Sequence, residues 1–277
     1  GLAEADAVLA GTGTLRAGLS RDEPGTRLRD LRVATDEAEI TANAFLNSAT
    51  TNASLRANLR EVGVVLPDLS GPASLVGTIT QEESGPLIYD VGGTGPAVSF
   101  AANGAVTEGE GGQRISFDLS TNLTDLARYA DLAGRQMSGA LTAATNGVFL
   151  IEGQRFDANI SALTSNVQIG DARLDPLLAG QGAFRASLAR TGELRGQITD
   201  LILRTPALSL TGDAQIDLSG SNNADLRFTL ADAGLLDPSL SGPINATLIA
   251  SPAGESATDA RLRITGPGTD VSADVQI

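Results

Sequence analysis

The 277-residue chain has 33 acidic and 19 basic side chains and a formal charge of −14. That balance argues against a nucleic-acid partner, because holding phosphates takes clustered Lys and Arg and no such cluster occurs, and it disfavours adsorption to anionic headgroups. With no His and no Cys, a Ser-His-Asp triad, a thiol nucleophile and the usual zinc ligand sets are excluded.

All 19 basic residues are Arg, which reads first as the bias of a GC-rich bacterial genome. Seven Phe, two Tyr and no Trp leave an apolar content of Leu, Val, Ile and Ala, which fills volume smoothly but lacks large anchors. The longest apolar run, Val62-Gly63-Val64-Val65-Leu66, is far too short to cross a membrane. The N-terminus lacks a basic region followed by an apolar stretch, so any signal or anchor is expected outside this sequence.

In chain order the first element is Leu9-Ala10-Gly11, which returns as Leu69-Ser70-Gly71, Leu132-Ala133-Gly134, Leu178-Ala179-Gly180 and Leu240-Ser241-Gly242. The glycines lie 60, 63, 46 and 62 residues apart, so a module is about 60 residues and one copy has lost a piece. The first and fourth copies share Ala-Gly-x-Gly-x-x-Arg-Ala-x-Leu-x-Arg, from Ala10 to Arg21 and from Ala179 to Arg190. Pro96-Ala97-Val98-Ser99-Phe100 realigns with Pro206-Ala207-Leu208-Ser209-Leu210, and Ile115–Leu119 with Leu226–Leu230. Residues 1–6 correspond to 170–175 without the strand before them, and 271–277 open a strand run that does not continue; the sequence is expected to be a fragment of something longer.

Strict apolar–polar alternation marks half-buried strands at Ala53, Leu55, Ala57 and Leu59, at Ile115, Phe117 and Leu119, and at Phe156, Ala158 and Ile160. It is clearest at Leu208, Leu210, Ala214, Ile216 and Leu218, and continues at Leu226, Phe228, Leu230; Ile244, Ala246, Leu248; Leu262, Ile264; and Val271, Ala273, Val275, Ile277. Turn signals separate the runs: Gly-Pro at 71, 85, 95, 242 and 266, Asn-Gly at 103 and 146, and Ser219–Asn223. Helical spacing occurs before some motif glycines. Leu123, Leu126, Ala127 and Ala130 predict a three-turn plug ending at Gly134, with caps among Ser120, Thr121 and Asn122, while Asp175-Pro176 and Asp237-Pro238 predict single turns.

The apolar faces of about eighteen such strands could be covered in three ways: by a second sheet in a dry sandwich, by coiling into a β-solenoid, or by a ligand filling an open trough. An aromatic-poor lining suits the trough. The fold expected is all-β: one elongated, repeat-built region over 1–277, curled into an open trough with an apolar concave face and a few short helical turns, anchored at Gly11, Gly71, Gly134, Gly180 and Gly242. The lining expected is Leu208, Leu210, Ile216, Leu218, Leu226, Phe228, Leu230, Leu248, Leu262, Ile264, Val271 and Val275.

The run Asp125 to Thr142, and the opening Ala5 to Gly11 followed by Gly25 to Leu31, resemble the TamB-like translocation and assembly module proteins of alphaproteobacteria, within the wider AsmA-like group. The resemblance implies a long periplasmic protein anchored in the inner membrane by an N-terminal helix and built as a "β-taco" with an apolar interior. It implies phospholipid acyl chains as cargo in bridge-like transport between the inner and outer membranes. It also implies roles in protein secretion and outer-membrane assembly with a TamA-like barrel partner, docked through regions outside this sequence.

No catalytic, cofactor or metal residue is expected. The carboxylate groups Asp36-Glu37-x-Glu39, Glu82-Glu83 and Glu108-x-Glu110 read as solvated loop charge. Gly11-x-Gly13 and Gly180-x-Gly182 are followed by Arg16 and Arg185 where a dinucleotide fingerprint needs its third Gly, and read as turns leading into strands. The alternatives are a surface-adhesin array of β-sandwiches, which should show compact units with linkers, and a β-solenoid polysaccharide-active protein, which should show carboxylates on one strand face beside aromatic platforms.

Overall fold

Alternation at a period of two gives a strand one apolar and one wet face. The chain, in a computed structural model that describes residues 8, 11–83, 85–109, 112–192, 195–217, 222–253 and 257–276, follows that rule almost throughout. The fold is nearly all-β: seventeen antiparallel strands in an open sheet, with a few short helical turns. It divides into two compact units at the third motif glycine, 1–134 and 135–277.

The first unit is a meander of β1 (Thr14–Asp22), β2 (Gly25–Ala34), β3 (Ala38–Leu46), β4 (Thr51–Leu59), β5 (Ala73–Gln81), β6 (Leu87–Gly95), β7 (Val98–Gly109) and β8 (Gly112–Leu123), each paired with the next in the chain. The second unit repeats the plan with β9 (Ser138–Leu150), β10 (Arg155–Gln168), β11 (Gln181–Arg190), β12 (Arg195–Arg204), β13 (Leu208–Asp217), β14 (Asn223–Leu230), β15 (Ile244–Pro252), β16 (Thr258–Gly266) and β17 (Thr269–Gln276). Every described pairing is antiparallel and between neighbours in sequence, which is neither the parallel coil of a solenoid nor a Greek-key sandwich.

The motif glycines mark the module. From Gly11 to Gly71 the chain makes β1–β4 and a helical turn at Val62–Val64; from Gly71 to Gly134, β5–β8 and a turn at Leu126–Tyr129; from Gly180 to Gly242, β11–β14 and a turn at Ala233–Leu235. The short interval holds two strands, β9 and β10, with a helical turn at Glu152–Gln154 between them and another at Asp175–Leu178 after them, so the piece it lacks is a hairpin. All five glycines take positive φ, 88°, 124°, 64°, 83° and 91° in order, a region costly for residues with a Cβ. Gly71, Gly180 and Gly242 also face Pro96, Pro206 and Pro267 of their own module's second turn, whose rings a Cβ would meet at 3.3, 2.9 and 2.9 Å. Residues 1–6, Leu9, Ala10, Glu110, Leu218, Ser219–Ser221 and Ile277 fall outside the described residues.

Within a unit the strands have two unlike ends. One end, the hairpin end, carries the turns β1–β2, β3–β4, β5–β6 and β7–β8, and in the second unit β9–β10, β11–β12, β13–β14 and β15–β16. The other, the plug end, carries the remaining turns and the helical turns at Val62–Val64, Leu126–Tyr129, Asp175–Leu178 and Ala233–Leu235, while a short helical turn at Glu152–Gln154 lies in the β9–β10 hairpin. Much of the buried core sits at the plug end, with Ala38, Val62 and Leu69 in the first unit and Leu177, Ala207, Leu230 and Ala233 in the second, while Ala186 is buried in mid-strand and Ala158, Ala250, Asp217 and Thr258 toward the hairpin end. Leu208, Phe228 and Ile244 pack against Leu177, Ala207 and Leu230.

Two expectations are corrected. Residues 120–123 are the end of β8, with Leu123 opposite Val98, and the expected three-turn plug is a single turn capped by Asp125, whose Oδ1 accepts the Ala127 N–H at 3.0 Å. The alternation through Ile115, Phe117 and Leu119 prevails there because it keeps an apolar row facing β7. Asn103-Gly104 and Asn146-Gly147 are not turns; they lie inside β7 and β9. Gly104 leaves room on its face for Tyr89, which crosses β7 to donate its hydroxyl to the Ser116 carbonyl at 3.1 Å, and a Cβ there would run into both groups. Gly147 lies so close to β10 that a Cβ would strike the Asp157 carbonyl.

Candidate functional site

Directly opposed residues of antiparallel neighbours share a face, so the register assembles rows across the second unit. One row runs Leu203, Leu210, Phe228, Ala246, Ile264, Val271; a second runs Gly212, Leu226, Leu248, Leu262, Ala273; a third runs Ile198, Ala214, Ala224, Ala250, Ala260, Val275. Leu208 and Leu230 form a pair that Ile244 extends, and Ile216 lies opposite Gly196. The register therefore puts Leu208, Leu210, Ile216, Leu226, Phe228, Leu230, Leu248, Leu262, Ile264, Val271 and Val275 on one face.

Their burial is graded. Leu230 is fully buried at the plug end, most of the others are half-buried, and Leu262, Ile216, Val271 and Val275 are exposed, Ile216 by 49% at the hairpin end and Val271 and Val275 by 51% and 54% on the last strand, β17. The first unit has the same face, from Leu28, Leu31 and Val33 through Ile40, Leu55, Ala57, Leu75, Tyr89 and Val91 to Phe117 and Leu119. Leu15 and Leu19 on β1 are 74% and 75% exposed.

Sequence reading missed the contribution of β2 and β12, because each carries a bulge that breaks the alternation. Arg29 and Asp30 together face Asn43, and 170 residues later Thr199 and Asp200 face Asp213. Asp30 and Asp200 sit at φ 50° and 54°, and each donates its backbone N–H to the opposing side chain, Asn43 Oδ1 at 2.9 Å and Asp213 Oδ1 at 2.8 Å. The repeat of Leu28-x-x-Leu31 as Ile198-x-x-Leu201 was the available signal.

The opposite face is more polar, although Val76, Ile88, Leu163 and Ile249 are exposed on it. It holds the ion pairs Arg32–Glu39 at 2.7 Å, Arg227–Asp225 at 2.9 Å, Arg261–Asp274 at 2.6 Å and Arg263–Asp270 at 2.9 Å, all solvent-exposed. Such pairs contribute little stability, but they fix which face meets water. Arg27 stacks 4.7 Å from the Phe45 ring centroid on the same side. At the hairpin end Arg195 Nε donates to the buried Asp217 carboxylate at 2.7 Å.

The carboxylate groups singled out by sequence are scattered. Asp36 and Glu37 lie in the β2–β3 turn, Glu39 pairs with Arg32, Glu82 and Glu83 follow β5, and Glu108 ends β7. Among the described residues no group of three His, Cys, Asp or Glu side chains could hold a metal ion, and no helix is long and apolar enough to cross a membrane. The arrangement offers a broad apolar surface on one side of each sheet unit and a more polar one, with the ion pairs, on the other. Set against known proteins, the chain matches no family model, no curated protein and no solved structure.

Proposed function

We propose that this chain is a non-catalytic scaffold segment of the TamB-like kind, whose apolar face holds phospholipid acyl chains on a path between the inner and outer membranes of a bacterium. On this reading it works in the periplasm, in lipid transport and in protein secretion and outer-membrane assembly. Its inner-membrane anchor and the surface that docks a TamA-like barrel lie in other parts of the protein.

The observation that carries the reading is the row Leu203–Leu210–Phe228–Ala246–Ile264–Val271, six strands wide, half-buried across five strands and exposed at Val271. Burying a Leu, Ile or Phe side chain contributes about 1.5–3 kcal/mol over leaving it in water. A face that leaves many of them half in water is stabilised by an apolar guest. Acyl chains suit it because the middle of the lining is largely aliphatic, with charged side chains only near the ends of its strands. The resemblance of Asp125 to Thr142 to the assembly-module proteins points the same way.

Native mass spectrometry of the purified protein tests this. Phospholipid should co-purify and be lost from a variant with Phe228→Arg and Ile216→Arg that keeps its β circular dichroism. A lipid-free protein, before and after incubation with phospholipid vesicles, would overturn the reading.

A further inference from the structure

The apolar face is polarised along its strands. Among the described strand residues three charged side chains occupy its rows: Arg21 opposite Thr26, Glu108 opposite Gln113, and Arg190 opposite Phe156. All three stand at the hairpin end. At the plug end the rows finish instead on residues such as Leu59, Leu123, Leu208 and Leu230, at the end that holds the buried Val62 and Leu177 of the helical turns and Leu69 of the loop before β5. Arg21 and Arg190 are repeat equivalents, 169 residues apart, so each unit carries one guanidinium at the same place. Arg190 is steered by the Gly192 carbonyl, which accepts from its Nε at 3.2 Å, and by Gln154 Oε1, 3.5 Å from its Nη1.

We infer that a bound phospholipid lies along the strands with one polarity, its phosphate at the hairpin end beside Arg21 or Arg190 and its chain termini against the helical turns. The inference rests on the acyl-chain reading above and adds a direction to it. The physical reason is that each end suits one part of an amphiphile. At the plug end a phosphate would lie among leucines, and the hydroxyls of Thr121, Tyr129 and Thr205 there already donate to backbone carbonyls, whereas at the hairpin end it meets water and the positive charge of a guanidinium. Chain termini at the hairpin end would leave methyls beside charge. Glu108 repels a phosphate from its own hairpin, β7–β8, and so leaves the β1–β2 and β11–β12 hairpins as the anchoring places.

Two photoreactive phospholipids test this, one with a diazirine at the tail terminus and one with a diazirine in the headgroup, each loaded from vesicles and cross-linked, with labelled residues read by peptide mass spectrometry. The tail probe should mark the plug end, around Leu59 and Leu208, and the headgroup probe the hairpin end, around Leu46 and Ile216. In the double variant Arg21→Gln and Arg190→Gln, headgroup labelling at the hairpin end should fall and the preference for phosphatidylglycerol over diacylglycerol should be lost. Loading with labels spread evenly or reversed would overturn the polarity and leave acyl-chain binding standing. No loading of either probe would overturn both.

Discussion

Glu61 Oε1 accepts the N–H of Gly71 at 2.8 Å and that of Gly63 at 3.0 Å, joining the start of a helical turn to the motif glycine that ends the loop. Asp232 Oδ1 repeats the arrangement 171 residues later with Gly242 and Gly234, both at 3.0 Å. The N–H groups of Gly63 and then Gly71 hold the Glu61 carboxyl below its ordinary range, and the Ser239 N–H and hydroxyl do the same for Asp237. A carboxyl depressed in the folded state contributes stability above its unfolded pKa and loses it as pH falls through the folded one. On acidification from about pH 6 to about pH 3, the native protein should therefore lose more thermal stability than Glu61→Gln, which keeps an acceptor oxygen without the charge. Parallel melting curves by circular dichroism across that range would show no link if the two fall equally.

The bulges at Asp30 and Asp200 make a second prediction. A left-handed backbone costs an ordinary L-residue about 1–2 kcal/mol, and Asp tolerates it better than a β-branched side chain does. Asp200→Val should destabilise the fold by about that amount, while Asp200→Gly should be close to neutral. Urea denaturation measures both, and equal losses in the two variants would show that the side chain and not the backbone angle matters.

Much of this architecture was legible in sequence because one rule, alternation, governs nearly every element. Leu208 to Ile216, Leu226 to Leu230 and Ile244 to Leu248 could be placed on one face before any register was known. Alternation fails where the backbone spends a residue without crossing the sheet. Thr199 and Asp200 do this, which hid Ile198, Leu201 and Leu203. Asn-Gly misled at 103 and 146 because a glycine that admits a turn also admits a close neighbour, here Tyr89 or the β10 backbone. The spacing from Leu123 to Ala130 imitates a helix, yet Leu123 belongs to a strand pair and only Leu126–Tyr129 turn. The polarity of the face was out of reach, since Arg21 and Arg190 acquire an end only once the meander assigns one.

Tyr89 and Gly104 give a third prediction. Gly104→Ala should push the phenol off its path and break its hydrogen bond to Ser116, at a cost of about 1–3 kcal/mol for overpacking. With two tyrosines and no tryptophan in the chain, a Tyr129→Phe background isolates the Tyr89 emission. An unchanged spectrum and melting temperature in Gly104→Ala would show that the crossing is not maintained in solution.

The last prediction separates the two ends of one face. Leu230 is fully buried against the β13–β14 ladder and the helical turns, so Leu230→Ala should cost about 2–5 kcal/mol through lost transfer energy and a cavity that rigid neighbours cannot fill. Ile216 belongs to the same face but is 49% exposed at the hairpin end, and Ile216→Ala should change lipid-free stability by no more than about 0.5 kcal/mol. The order should narrow when phospholipid is present, because a guest that covers Ile216 makes its side chain part of a buried contact and stabilises the native state by mass action. Denaturation with and without phospholipid therefore carries the argument: a loss at Ile216 that appears only with lipid places the guest over the hairpin end, and a loss equally large without lipid would mean that protein already covers it.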